Sequence, residues 1–428
     1  MGSGHPDVPM GLRTRGTSGE LDLVDVWSHK KASSTKAGEI KSKSSELAEA
    51  EADAKGKGDG AWEALGMRGY EILGPLNRGS SSTVALARAK HGGLVAVKLI
   101  PRVQAVRNGR LAREVVLQRK LGQLHPCVTA LRDVRLTESH VCLVVDYANG
   151  GELFESLRQR LVRGEGPFPE AIARFLFIQV VAGVSFCHAL GVCHRDLKLE
   201  NILLDHPGTL PPVGHILPNT RVKLCDFGAA KSSAESRPKS FVGTTGYIAP
   251  EVLRALQMSA TTEQTGMTYD GRVADLFGLG VALYVLLVGA YPFETGKNTE
   301  STSVPGTCEA WSVSTSRRIM RGDFMPVPPR FGVSDECMSV LQGLMDPDPA
   351  KRLTIKQLRD SAWFRQGVLA HSDVHGPALA VSDYICPHTV MNAVDLETPS
   401  ITDLERRMAH TAPLPLNFVH LEDIPDVA

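Results

Sequence analysis

A chain of 428 residues with 43% apolar side chains can bury a substantial core, and by size alone has room for roughly two to three domains. Its 47 basic and 47 acidic residues cancel, which excludes an overall field drawing it to nucleic acid or to an anionic membrane. Eight cysteines with neither a Cys-x-x-Cys pair nor metal-ligand spacing argue against a disulfide framework and suit a reducing compartment.

Residues 1–67 are rich in Gly, Ser, Lys, Ala and Glu, a composition that cannot offset the entropy of ordering, and a disordered tail is expected there. A short helix over Ser45 to Lys55 and a docking peptide over Leu21 to Trp27 are the alternatives to a solvated tail. The latter carries Asp22 and Asp25 and so is no signal-peptide stretch, and Pro6 stands where acylation of Gly2 would want Ser or Thr. From Tyr70 to Val145, short β-branched runs broken by Gly-Gly and Asn-Gly turns predict a small antiparallel sheet with one helix, Leu111 to Leu121. Long apolar helical patterns such as Ile172 to Leu190 predict a helical unit after it. Phe277 to Phe293 is almost wholly apolar but shorter than the ~20 residues of a membrane span, and it closely follows Asp270, Arg272 and Asp275; it reads as a buried core helix. Glu294 to Ser316 is loop-like. Beyond Phe364 the pattern loosens, except near 400–409, where Ser400 and Asp403 resemble a helix start and Ile401, Leu404 and Met408 share a face.

The chemistry concentrates in His194-Arg195-Asp196-Leu197-Lys198-Leu199-Glu200-Asn201 and, downstream, Asp226-Phe227-Gly228. In that order they supply a base, a phosphate-neutralising cation and two metal-binding side chains, the parts of a phosphoryl-transfer site. Four further features fall where this reading needs them. Val95-Ala96-Val97-Lys98 ends a strand-like run, and Glu114 follows on a helix where it can pair with Lys98. Leu76 to Val84 is the expected flap whose amides face nucleotide phosphates. Ala249-Pro250-Glu251 and Arg352 offer the two halves of a buried ion pair. Lys98 is then expected to anchor the α and β phosphates of ATP, Asn201 and Asp226 to ligate Mg²⁺, Asp196 to orient the acceptor hydroxyl and take its proton, and Lys198 to neutralise the transferring phosphate. Singly each residue has a bland explanation: Asp196 a helix cap, Lys98 a surface charge, Glu114 a solvated one. Their common order favours the joint reading. Asp275 is expected to support the catalytic loop through its backbone, and Cys225 to pack as a small hydrophobe beside the nucleotide.

On these motifs the chain resembles a eukaryotic protein kinase over about residues 70–366. Val192-Cys193 with the octapeptide, Pro238-Lys239-Ser240, Val242-Gly243-Thr244, Tyr247 to Glu251 and Val288 to Glu294 resemble the plant SnRK kinases of subclass two, stress kinases of the green lineage. The resemblance implies an α+β, two-lobed fold: a small sheet lobe at 68–147, a helical lobe at 148–366 and a regulatory tail at 367–428 whose helix packs on the small lobe. It implies a hinge at Asp146-Tyr147-Ala148 with Val145 as gatekeeper, and an ATP site that includes Gly79, Val84, Ala96, Lys98, Ala148, Leu203 and, at the ribose, Glu152. Thr244 would steady the catalytic cluster, and Lys198 implies serine or threonine acceptors. Arg195 implies an anion-gated activation segment, with Lys231 beside it, Ser240 as the first phosphosite, and Ser236 and Thr245 as secondary ones. Glu152 and Glu200 imply an arginine N-terminal to the acceptor. Further expectations are protein substrates, an upstream kinase and a phosphatase, no nucleic-acid or membrane partner, a monomer, and residence in cytoplasm or nucleus under osmotic or nutrient stress.

The chain departs from that pattern in places. Asn77 and Ser82 replace flap glycines, which narrows the room for close phosphate approach. Asp275-Leu276-Phe277-Gly278 replaces Asp-Val-Trp-Ser, Thr245-Gly246 replaces Pro-Ala, and the long acidic tail of hormone-responsive members is missing. Relative to the family, His206 to Asn219 and Met258 to Tyr269 look inserted as surface excursions of small energetic consequence. Gln118 occupies a site that is apolar in many kinases, where a polar group is expected to resist dry packing and invite an external helix. The degenerate flap leaves one alternative open, a nucleotide-binding scaffold without transfer.

Overall fold

Strands form where β-branched residues alternate, and the alternation decides what each face of the sheet covers. In the computed structural model, which describes residues 67–78, 82–107, 111–208, 210–232, 245–261, 269–294 and 313–366, β1 (Tyr70–Arg78), β2 (Thr83–Ala89) and β3 (Leu94–Pro101) lead into two helices, α1 (Arg102–Arg107) and α2 (Leu111–Leu124). β4 (Leu131–Leu136) and β5 (His140–Asp146) complete an antiparallel sheet of order β1-β2-β3-β5-β4. Successive residues of a strand point to opposite faces. Val141 and Leu143 of β5 accordingly pack with Leu111, Ala112 and Val115 of α2, while Cys142 and Val144 pack with Ala85, Ala87, Val97 and Met67 on the other face. The expected disorder before residue 67 and the helices over Ser45 to Lys55 and 400–409 lie outside the described residues.

Gln118 of α2 is only 4% exposed, and its Nε2 donates to the Thr129 carbonyl at 3.5 Å. The polar group expected to resist dry packing is instead accommodated inside the lobe, because a backbone carbonyl lies within its reach.

The chain then crosses through β6 (Gly151–Glu152) to α3 (Leu153–Val162) and α4 (Glu170–Ala189). β7 (Val192–Cys193), β8 (Ile202–Asp205), β9 (Arg221–Leu224) and β10 (Lys231–Ser232) form two small sheets, β6-β8-β9 and β7-β10. The large lobe closes with α5 (Pro250–Thr261), α6 (Gly271–Val288), α7 (Val313–Arg321), α8 (Asp335–Leu344) and α9 (Ile355–Asp360). α4 and α6 are long and apolar enough by composition to cross a membrane, yet 67% and 83% of their apolar windows are buried within the lobe. The α6 helix does not follow the apolar run. Asp270 caps it early by accepting from Arg272 N, and Gly289, at φ 75°, ends it. Phe293 then returns to stack on Phe277 with ring centroids 5.8 Å apart.

The first of the two excursions is less superficial than its composition suggests. His206 is 3% exposed; its N–H donates to Asn149 Oδ1 at 2.7 Å, its carbonyl accepts from Asn149 Nδ2 at 2.9 Å, and its Nδ1 lies 2.9 Å from Thr220 Oγ1. In the second, α5 continues through Met258 to Thr261, and 262–268 lie outside the described residues.

Two ion pairs tie the lobe's base. Arg352 clasps Glu251 in two parallel hydrogen bonds of 2.6 and 2.9 Å, both residues being buried, and also donates to the carbonyls of Val273 and Asp346. Glu170, at the start of α4, accepts from Arg174, from Trp363 Nε1 at 2.8 Å, and from Ser334 N and Oγ at 2.7 and 2.9 Å. Burial opposes ionisation of Glu170, but these donors outweigh it and hold the carboxyl below its ordinary value of 4.5. Its folded pKa being depressed, the stabilisation is present above the unfolded value and is lost as pH falls through the folded one. Glu170→Ala, which strands the buried Trp363 indole and Arg174, is expected to cost about 3 kcal/mol and to lower Tm by roughly 5 °C in thermal unfolding at pH 7. The difference from wild type should shrink as the scan is moved to acid pH.

Candidate functional site

Three elements converge on one lysine. Strand alternation sets Lys98 of β3 on the face that meets α2, where Leu111 and Val115 bury the helix and turn Glu114 inward between them. Lys98 Nζ donates to Glu114 Oε1 at 2.7 Å and to Asp226 Oδ1 at 3.1 Å. Burial alone would lower the lysine's pKa, but the two carboxylates outweigh it and hold the ammonium charged well above its usual range. The Asp226 carboxyl is likewise penalised by burial, yet the Lys98 charge keeps it below the ordinary value. Asp226 sits just beyond β9 at φ 62°, with its Oδ1 also 3.4 Å from Gly228 N. Space beside Gly228 is tight: a Cβ there would lie 3.2 Å from both Asp226 Oδ1 and Glu114 Oε2, so a larger residue would press on the two carboxylates that hold Lys98.

The loop between β7 and β8 is held from below. Asp275 of α6, 2% exposed, accepts from His194 N at 2.9 Å and Arg195 N at 2.7 Å, and His188 Nε2 lies 2.8 Å from its Oδ2. The expectation that Asp275 receives backbone hydrogen bonds is met. Arg195 at φ 66° is one of two non-glycine residues with positive φ among the described residues, Asp226 being the other. The pair of bonds to Asp275 holds that strained turn in place. Above it, Lys198 Nζ donates to Asp196 Oδ2 at 2.8 Å, and Asn201 Nδ2 donates to the Asp196 carbonyl at 2.8 Å and to its Oδ2 at 3.0 Å. Asn201 is in turn fixed by Cys225 N, which donates to the Asn201 carbonyl at 3.0 Å, one residue before Asp226. The loop and the Asp226 turn are thereby joined. His194 adds a second link, with Nε2 3.1 Å from the Cys225 carbonyl and its ring 4.9 Å from that of Phe227. Burial pushes the Cys225 thiol far up, which makes it an inert packing group rather than a nucleophile.

The remaining predicted residues that the structure describes lie on the sheet and on the strands below it. Val84 pairs in register with Lys98, and Ala96 with Val145, on the sheet above; Leu203 pairs with Glu152 below. Ala148 is buried at the crossing. The Asp146 carboxylate turns away from the cleft to meet Arg132 at 2.6 Å and Lys223 at 3.4 Å, so that only its backbone is left for a cleft ligand. Gly79, Thr244 and Ser240 lie outside the described residues, as do the side chains of Lys231 and Thr245. Among the described residues no three His, Cys, Asp or Glu side chains group as a metal site. Two contacts escaped sequence reasoning: His188 on Asp275, and Asn77 Nδ2 on Glu152 Oε1 at 2.7 Å. Each depends on how distant segments pack and has no local signature.

The gathering of Asp196, Asn201, Asp226, Glu114 and two lysines agrees with what comparison with known proteins returns. The protein kinase domain family matches residues 70–364. The chain is 39% identical to the serine/threonine-protein kinase SRK2E of Arabidopsis thaliana, over 70% of this chain and 73% of that one. It is 40% identical to SRK2C of the same plant (70% and 76%) and 40% identical to SAPK3 of Oryza sativa subsp. japonica (69% and 77%). With the catalytic loop, the Asp226 turn and the Lys98–Glu114 pair in these positions, the chain belongs to the protein kinase family as a serine/threonine kinase related to the plant SnRK kinases of subclass two.

Proposed function

We propose that this kinase transfers the γ-phosphoryl group of ATP to serine or threonine in basic protein segments, as a phosphorylation-activated element of osmotic or nutrient stress signalling in cytoplasm or nucleus. The observation that carries the chemistry is the connected set Glu114–Lys98–Asp226 and Asn201–Asp196–Lys198, joined through Cys225. Phosphoryl transfer needs charge neutralisation and alignment more than covalent help. Lys98, fixed by Glu114, suits the α and β phosphates. Asp196, already oriented by Lys198 and Asn201, suits a hydroxyl whose proton it accepts as the oxygen attacks phosphorus. Lys198 then offsets charge on the transferring group.

The residues also fit the divalent metal that the family implies. Asn201 spends its amide nitrogen on Asp196, which leaves its side-chain oxygen for a cation, and Asp226 contributes a carboxylate, an all-oxygen pair suited to magnesium. Asn201 and Asp226 would hold such an ion, which would supply charge neutralisation at the phosphates. The small number of protein ligands is in keeping with an ion that keeps waters and phosphate oxygens in its shell.

Activation by an anion is supported at Arg195. Its Nη2 donates to Tyr269 Oη and its guanidinium lies 5.5 Å over that ring, while Nε and Nη1 have no hydrogen-bond partner among the described residues. A half-buried cation with two buried, unmet donors is the kind of group a phosphate would complete. The basic preference rests on Glu152 and Glu200, and protein substrates follow from the family.

Two measurements test this reading. With radiolabelled ATP, a basic peptide carrying Arg three residues before its Ser should be phosphorylated at least about tenfold faster than an acidic one, and Asp196→Asn should lose about 10²- to 10⁴-fold in rate. Equal rates for the two peptides would reject the basic preference, and an unaffected Asp196→Asn would reject transfer at this site in favour of a scaffold. Ser240→Ala should lower activity strongly after treatment with ATP or an upstream kinase; full activity in that variant would remove Ser240 from the scheme.

A further inference from the structure

Asn77 stands near the end of β1, in register with Val84 of β2, at a flap position where related kinases carry glycine. A glycine there has no side-chain donor to offer. Asn77 does, and its Nδ2 reaches 75 residues along the chain to Glu152 Oε1 at 2.7 Å. That distance belongs to a charge-assisted bond between a neutral amide and a carboxylate. It spans the mouth of the cleft, from the small lobe's first strand to β6 of the large lobe, and it ends on the carboxylate that the nucleotide reading assigns to the ribose.

From this we infer that Asn77 is a latch on the nucleotide cleft and a residue that sets affinity for the ribose of ATP. This inference rests on the reading of Glu152 as the ribose partner. Ribose hydroxyls donate hydrogen bonds, and so does the Asn77 amide; both are drawn to the same carboxylate. Nucleotide entry therefore exchanges one donor on Glu152 for another, and part of the ribose contact goes to opening the latch. The bond is solvent-exposed, which limits its net worth to the lower end of the range for an ordinary hydrogen bond, about a threefold change in affinity. The competition concerns the sugar edge alone. A nucleotide without ribose hydroxyls leaves the latch closed and gains nothing from its removal.

The test is equilibrium binding, by calorimetry on the full chain, of ATP and of 2′,3′-dideoxy-ATP to wild type, Asn77→Ala, Glu152→Ala and the double variant. Alanine rather than glycine is chosen so that the strand keeps its backbone restraint. Asn77→Ala should tighten ATP about threefold and leave dideoxy-ATP unchanged, and the same substitution should do nothing in the Glu152→Ala background. An equal gain for both nucleotides would assign the effect to flap backbone or bulk and overturn the latch, as would unchanged or weakened ATP binding. Should Glu152→Ala fail to narrow the wild-type difference between the two nucleotides, the ribose assignment itself falls, and the latch with it. Binding rather than turnover is measured, so inactivity of the enzyme would leave the result intact.

Discussion

The site depends on a lysine that is largely withdrawn from water and charged at once. Taking an ammonium out of water costs several kcal/mol, and Lys98 is accommodated because Glu114 and Asp226 arrive from two different lobes to meet it. Neither carboxylate is a neighbour in sequence. α2 must dock against the sheet to bring the first, and the Asp226 turn must sit beneath the sheet to bring the second. Lobe packing, helix position and turn conformation are therefore coupled to a single ammonium group, and a change in any of them is felt there.

The large lobe supplies the complementary constraint. Arg195 and Asp226 hold left-handed backbone conformations that cost on the order of 1–3 kcal/mol each. That strain persists because surrounding structure over-determines it. Asp275, seated in the apolar α6, grips two successive N–H groups of the catalytic loop, and Asn201 and Cys225 bind that loop to the Asp226 turn. The most apolar helix among the described residues thus acts as the foundation of a polar site. Asp196 is oriented not by its own backbone but by partners on both sides, Lys198 and Asn201.

Much of this was legible in the sequence because each part carries a local signature. Lys98 lies in a β-branched run, Glu114 on a helical period, and the Asp196 and Asp226 motifs are contiguous. The Glu251–Arg352 pair was legible for a different reason: a carboxylate and a guanidinium in an apolar environment need one another. What could not be read were contacts set by the closing of distant segments. Asn77 was seen as a missing glycine, a loss of space, whereas the structure gives its side chain a partner of its own. Gln118 reads as a disturbance to packing from its polarity alone, since nothing near it in sequence announces the Thr129 carbonyl. His206 looked like the start of a surface loop, since nothing local announces that Asn149 satisfies both its backbone groups.

The most direct test of the account is a double-mutant cycle on nucleotide affinity with Lys98→Met and Glu114→Gln. If Glu114 acts by holding Lys98 on the phosphates, Glu114→Gln should weaken ATP binding severalfold in the wild-type background and change it little once Lys98 is methionine. Equal losses in the two backgrounds would contradict the account, showing that the two residues serve the cleft independently.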